Sequence, residues 1–190
     1  MRTLTYYIAA TIDGYIADQQ GGFDFFLPFE GEVAAAILAD WPETMPVHAR
    51  GPLGLTDVPN ARFDAVLMGR GTYEPALAAG ITSPYSHLRQ YVFSRTIDQL
   101  DPEVEIVSGD PLEFVRELKR QEGMGIWLCG GGRLAGALLT EIDELVIKRH
   151  PIVAGTGIPL FDGPFDPTGF TRAADRTFDS GVTFETYTRN

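Results

Sequence analysis

Cysteine is nearly missing from this 190-residue chain: Cys129 stands alone, so no disulfide can close within it, and an intracellular, cytoplasmic setting is expected. Histidine is scarce too, and His48, His87 and His150 are too far apart to show a metal-ligand spacing, so no metal is expected. Nowhere do about eighteen apolar residues run together, and the opening stretch MRTLTYYIAATIDGYIAD has no apolar segment of the signal-peptide kind; neither a membrane partner nor export is expected. Basic residues are outnumbered, 15 Lys and Arg against 26 Asp and Glu, and a net charge of -11 argues against a broad surface that tracks the phosphates of DNA or RNA. Any anion site must be local. There is no internal repeat, low-complexity tract or linker, so residues 1–190 are expected to form a single domain.

What the chain does have is 44% hydrophobic residues in short runs with alternating character, the pattern of an α/β protein. Strands are expected at Leu4 to Ile12, Asp64 to Gly69, Gln90 to Ser94, Glu103 to Gly109, Asp143 to Val153 and Gly181 to Arg189. The first is closed by Asp13-Gly14, a turn pair that can place the glycine at positive φ. Helices are expected over EVAAAILAD (32–40), and over PLEFVRELKRQ (111–121), where Pro111 leads and the basic residues come late. Between them, Pro42, Pro46, Gly51, Pro52, Gly54 and Pro59 predict a long irregular excursion of a kind that is often functional.

Three strand ends carry anion-binding chemistry. The run IWLC (126–129) enters Gly130-Gly131-Gly132 and leaves as a helix, so unpaired N–H groups and a helix dipole face one spot. A P-loop is excluded because no Lys-Ser or Lys-Thr follows, and GGGRLAG lacks the Rossmann spacing; a merely tight strand-to-helix turn stays open for the triplet taken singly. LMGRGTYE (67–74) repeats the design, with Thr72 as the expected cap and Glu74 in the first turn. YVFSRT (91–96) ends another strand with two hydroxyls around an arginine, and Arg binds phosphate as a planar fork.

The ordered set IAATIDGYIA, FFLPFE, VLMGRGTYE, VFSRT and CGGGRLAGALL resembles dihydrofolate reductase and the C-terminal reductase domain of the riboflavin-biosynthesis protein RibD, and IDELVIKRHPIVAGTGIPLFDG is closest to the RibD-type branch. The resemblance implies a dihydrofolate reductase-like three-layer α/β fold around a mixed, mostly parallel central sheet, NADPH as cofactor, hydride transfer to a small heterocyclic or sugar-derived C=N or C=O substrate, and a homodimer. It implies that Ala9 and Ala10 lie beside the nicotinamide, that Gly69, Arg70 and Thr72 meet the cofactor phosphates, that Ser94, Arg95 and Thr96 meet the adenosine 2′-phosphate, and that Gly130, Gly131, Gly132, Arg133 and Leu134 meet the pyrophosphate. A non-catalytic nucleotide-binding or sensing module on the same fold is the alternative. TYEPALAAGITSPYSHLRQ (72–90) only partly matches the element that holds the substrate's ribose phosphate in riboflavin-pathway reductases, so pterin and pyrimidine both stay open.

Two carboxylates fall on the substrate side of that arrangement. Glu30, after the LP turn, is the favoured proton source if Phe25, Phe26 and Phe29 bury it and so raise its pKa; the alternative is an exposed carboxylate in a first helical turn. Asp13 is either a substrate anchor or proton-relay carboxylate, or simply the turn-forming residue before Gly14.

Overall fold

The structure, a computed structural model, describes residues 1–26 and 29–190. Leu27 and Pro28, the LP turn of the sequence motif, lie outside the described residues. In chain order the elements are β1 (Leu4–Ala10), β2 (Tyr15–Ala17), α1 (Gly31–Asp40), α2 (Val47–Arg50), β3 (Phe63–Gly69), α3 (Arg70–Ala78), β4 (Arg89–Phe93), β5 (Val104–Val107), α4 (Pro111–Arg120), β6 (Gly125–Gly130), α5 (Gly132–Ala137), β7 (Glu144–Arg149), β8 (Ile158–Pro159), β9 (Phe170–Thr177) and β10 (Thr183–Arg189).

Eight strands form one sheet in the order β5-β4-β3-β6-β1-β7-β10-β9, while β2 and β8 pair separately. The pairings from β5 through β7 are parallel; those of β10 with β7 and β9 are antiparallel. This is the expected mixed, mostly parallel sheet. Side chains alternate across a strand, so each central strand feeds two cores. Tyr6, Ala10, Leu67, Ile126 and Leu128 pack with Val115 and Leu118 of α4 and Leu134 of α5. Tyr7, Val66, Met68 and Trp127 face the other way, onto Ala36 and Ile37 of α1 and Tyr73 of α3. Because both faces are covered, these strands read as continuous apolar runs rather than alternating ones.

Ends differ from the sequence expectation for local reasons. β1 stops at Ala10 rather than Ile12, since Gly14 N–H bonds back to the Thr11 carbonyl (3.1 Å) and Gly14 takes φ +85°, the turn conformation its position predicts. β7 stops before Pro151, whose missing N–H cannot extend a ladder. The helix at 111–120 starts on a cap the sequence reading passed over: Asp110 accepts from the N–H groups of Leu112 (2.7 Å) and Glu113 (3.3 Å). β9 was not expected at all. All of its residues after Phe170 are exposed, so no apolar pattern announces it, and it is a strand because β10 pairs with it.

The excursion at 41–62 is held together by buried polar groups. Glu43 is fully buried, and its carboxylate accepts from the N–H groups of Ala61 (3.2 Å), Arg62 (2.7 Å) and Phe63 (2.8 Å). Arg50, also buried, donates to the carbonyls of Pro42 (2.9 Å), Leu55 (2.9 Å) and Val58 (3.0 Å). Together they satisfy backbone groups that a loop beneath the surface would otherwise leave unpaired. The role visible here is structural. Glu43→Ala strands three backbone donors at the entry to β3 and should cost on the order of 3 kcal/mol or more, read as a lower urea midpoint at unchanged slope.

Candidate functional site

The anion-binding strand ends come together along one edge of the sheet. β3 and β6 are neighbours, and a Cβ on Gly69 would lie 3.3 Å from Gly131 N and 3.4 Å from the Gly130 carbonyl oxygen. The Thr72 hydroxyl oxygen stands 3.5 Å and 3.7 Å from where Cβ atoms of Gly130 and Gly131 would sit. β4 lies on the other side of β3, and there the Arg70 guanidinium donates to the Thr96 hydroxyl (3.0 Å) while also pairing with Glu74 (2.6 Å). Residues 69–72, 94–96 and 130–132 thus share one rim at the carboxyl ends of three adjacent parallel strands.

Individual expectations need correction. Thr72 is not the cap of α3; Gly69 is the N-cap, which turns Thr72 towards the glycines instead of its own helix end, and Glu74 follows the first turn as the partner of Arg70. The three glycines also differ from one another. Gly130 has φ +136° and a cis peptide to Gly131. Gly131 caps α5, and an added Cβ would meet only Ile16 Cδ1 and Thr72 Oγ1, each at 3.7 Å. Gly132 is covered by the chain itself: a Cβ there would drive into the Pro159 carbonyl, well inside 3.0 Å. Close approach at Gly132 therefore serves the β8 crossing, and only Gly131 is open. Leu134 is buried in the core, so what α5 can offer a ligand is its first-turn N–H groups. Arg133 is 93% exposed and pairs with Asp162 at 3.3 Å.

At the β4 end, the Ser94 hydroxyl accepts from the N–H groups of Thr96 (3.2 Å) and Ile97 (3.1 Å), which holds the turn. Arg95 is exposed and has no ion-pair or hydrogen-bond partner among the described residues. Its charge is open to a ligand from solvent.

Neither candidate carboxylate has the buried surroundings expected of a proton source. Glu30 is exposed at the N-cap of α1, while Phe25 and Phe29 are exposed beside it, so the burial that was to raise its pKa is absent. Of the expected aromatic cluster only Phe26 turns inward, its ring 4.7 Å from that of His150. Asp13 accepts from the Thr11 hydroxyl (2.7 Å) and from the N–H groups of Ala154 (3.0 Å) and Gly155 (2.7 Å). These bonds lower its pKa to about 2, which keeps it ionised and without a proton to give near neutral pH. It ties the end of β1 to the loop after β7.

Ala9 and Ala10 divide between the two faces. Ala10 is fully buried in the core under α4 and α5, whereas Ala9 shares its face with Tyr7 and pairs in register with Lys148 of β7. That face carries groups passed over as site residues in the sequence: Lys148, whose ammonium lies 4.0 Å from the centre of the Tyr7 ring, and His150, whose buried Nδ1 has no partner. Burial lowers the Lys148 pKa to about 8; burial and then Lys148 lower that of His150 to about 4. Burial pushes the Cys129 thiol up to about 12. The signal was present in VIKRH, where a lysine and a histidine two apart interrupt a buried strand.

Two outcomes test this geometry. Gly132→Ala should lower the thermal midpoint or abolish folding, while Gly131→Ala should melt close to the parent, because only the first places a Cβ against backbone. A carboxylate whose folded pKa lies below its ordinary 3.8 stabilises only while ionised, so the stability gap between the parent and Asp13→Asn should be full above about pH 4 and close as pH falls through about 2.

Comparison with known proteins places this chain in a family. The family described as "RibD C-terminal domain" matches residues 2–184. Two Bacillus subtilis (strain 168) proteins, both named as uncharacterized, are similar along nearly their whole length: YwjB, 33% identical over 184 residues with 95% of each chain covered, and YyaP, 29% identical with 92% of this chain and 88% of that one covered. Among solved structures, a Shewanella sp. PV-4 protein named for riboflavin biosynthesis superposes with a TM-score of 0.72 at 25% identity, covering 100% of this chain and 99% of that one. A Thermotoga maritima diaminohydroxyphosphoribosylaminopyrimidine deaminase/5-amino-6-(5-phosphoribosylamino)uracil reductase superposes at 0.67 and 16% identity, with 100% of this chain on 57% of that one, a likeness of fold. With the family matched across almost the entire chain and the same α/β architecture in its solved relatives, this protein belongs to the RibD C-terminal domain family.

Proposed function

We propose that the protein is an NADPH-dependent reductase that transfers hydride to a small heterocyclic or sugar-derived C=N or C=O substrate. The observation that carries this reading is the convergence of Gly69–Thr72, Ser94–Thr96 and the open Gly131 on one rim. The residues fit the group: a Cβ on Gly131 would meet nothing closer than 3.7 Å, so its backbone can be approached as a pyrophosphate would require, and exposed Arg70 and Arg95 beside Thr96 suit a further phosphate. NADPH, when bound, supplies the hydride. The chain's own part is to orient both reactants, exclude water and hold a proton near the acceptor atom. Family membership and the reductase activity for which the Thermotoga protein is named support the same reading.

An exposed Glu30 and an ionised Asp13 favour a second reading, a nucleotide-binding module without turnover. Absorbance at 340 nm separates the two when the protein and NADPH are mixed with a panel of C=O and C=N acceptors that includes dihydrofolate and 5-amino-6-(5-phosphoribosylamino)uracil. Oxidation of NADPH supports the reductase; tight binding with no oxidation across the panel supports the module. The homodimer belongs to the same proposal and is read by light scattering.

Cofactor choice gives a quantitative test. Charged hydrogen bonds are worth about 1.5 to 3 kcal/mol, so Arg95→Ala should weaken NADPH roughly ten- to a hundredfold by calorimetry and leave NADH nearly unchanged. Equal losses for the two cofactors would remove the 2′-phosphate assignment.

A further inference from the structure

The chain has two lysines, and they are held in opposite ways. Lys119 is buried and fully engaged, donating to the Glu141 carbonyl (2.9 Å) and the Asp143 carboxylate (2.9 Å). Lys148 is partly buried and makes no ion pair or hydrogen bond among the described residues; its ammonium lies over the Tyr7 ring at 4.0 Å. A cation drawn out of water usually brings a carboxylate with it, and the groups around this one include none. They are Tyr7 on β1, Cys129 on β6, Tyr85 in the segment before β4, and His150 on β7 itself, with Phe184 opposite Lys148 on β10. Burial raises the pKa of Tyr7, Tyr85 and Cys129 and lowers that of His150, so all four are neutral near pH 7 and the ammonium keeps its donors free.

The position is as telling as the vacancy of partners. Along this face of the sheet, Tyr7, Trp127 and Val146 are buried, and accessibility begins one step further towards the carboxyl ends, at Ala9, Cys129 and Lys148. Lys148 pairs in register with Ala9, the small residue expected beside the nicotinamide. His150 follows on the same face with a buried, unpartnered Nδ1. At the strand ends, where an α/β sheet binds its ligand, Lys148 thus reaches accessible surface with no polar partner among the described residues, and the unpartnered Nδ1 of His150 lies buried two residues further on.

We propose that Lys148 is the residue that meets the hydride acceptor, its ammonium donating a hydrogen bond to the acceptor's carbonyl oxygen or imine nitrogen and then delivering the proton that completes the reduction. This inference rests on the reductase reading above. Hydride forms the new C–H bond as the π pair of C=O or C=N moves onto oxygen or nitrogen; that atom takes a proton from Nζ, leaving a neutral amine that water reprotonates, while NADPH is oxidised to NADP⁺ by two electrons. His150 Nδ1 offers a second hydrogen bond to an adjacent polar atom of the acceptor. A pKa near 8 suits the role, since the group is charged at neutral pH yet gives up its proton readily, and turnover should fall as pH rises through about 8.

The test uses the full-length protein carrying lysine labelled with carbon-13 at Cε, which gives two lysine signals, assigned with Lys148→Met. The Lys148 signal should titrate with a midpoint near 8 and move to a lower midpoint with NADP⁺ than with NADPH, because the oxidised ring adds a positive charge beside it. With any acceptor of the panel that is reduced, Lys148→Met should keep NADPH affinity within about twofold, lower kcat by about a hundredfold and lose the fall of kcat above pH 8, and Lys148→Arg should restore part of the rate. If the parent binds neither cofactor form, the reductase reading falls and this inference with it. If both forms bind and the Lys148 midpoint is the same in each, or Lys148→Met turns over like the parent, the lysine assignment alone is overturned.

Discussion

The approach of β3 to β6 at their carboxyl ends is the constraint from which the rest of the site follows. Gly69 lets the two backbones come close, since a Cβ there would sit tightly against Gly131 N at 3.3 Å and the Gly130 carbonyl oxygen at 3.4 Å. With the two backbones that close, α3 and α5 begin side by side and present their free N–H groups to the same space. The crossing of Pro159 over Gly132 closes that space on one side, and Ile16 of β2 borders it on another. What is left open is the surface over Gly131, rimmed by Thr72, Arg70 and Thr96.

Buried polar groups are treated in two ways. Glu43, Arg50 and Lys119 each find a full set of partners and stitch loops or helix ends to the sheet. Lys148 and the Nδ1 of His150 find none. The satisfied set lies around the 41–62 excursion and beneath α4; the unsatisfied pair lies on β7 at the strand ends, next to Ala9. Uncompensated burial costs free energy, and Arg2, Tyr7 and His87 also carry a buried side-chain atom without a partner among the described residues; what sets the β7 pair apart is its place at the strand ends beside Ala9.

Periodicity made the interior strands and the two amphipathic helices legible, because their side chains carry burial on their face. It could not reveal β9, whose residues are almost all exposed, nor show which face of the sheet Ala9 and Ala10 each take until β1 was placed. The glycine and arginine motifs announced special chemistry at three strand ends, and the structure brings those ends side by side; yet Gly132 and Leu134 serve packing, and Thr72 faces the glycines instead of capping its own helix. Of the two readings open for Glu30, the structure matches the exposed carboxylate at a helix start. Neighbouring phenylalanines in sequence do not bury Glu30 when they themselves point to solvent.

The sequence by itself determined the α/β class, the apolar runs of the interior strands, the turn at Asp13-Gly14 and the local chemistry of each strand end, since these depend on periodicity, backbone freedom and residue type within a few positions. Only the tertiary structure decided which strand ends adjoin, which glycine stays open, that Asp13 is clamped by Thr11 and the 154–155 backbone, and that Lys148 lies unpaired over Tyr7. Those depend on residues brought together from as far as 142 positions apart, and no local pattern encodes the charge environment that such long-range neighbours create.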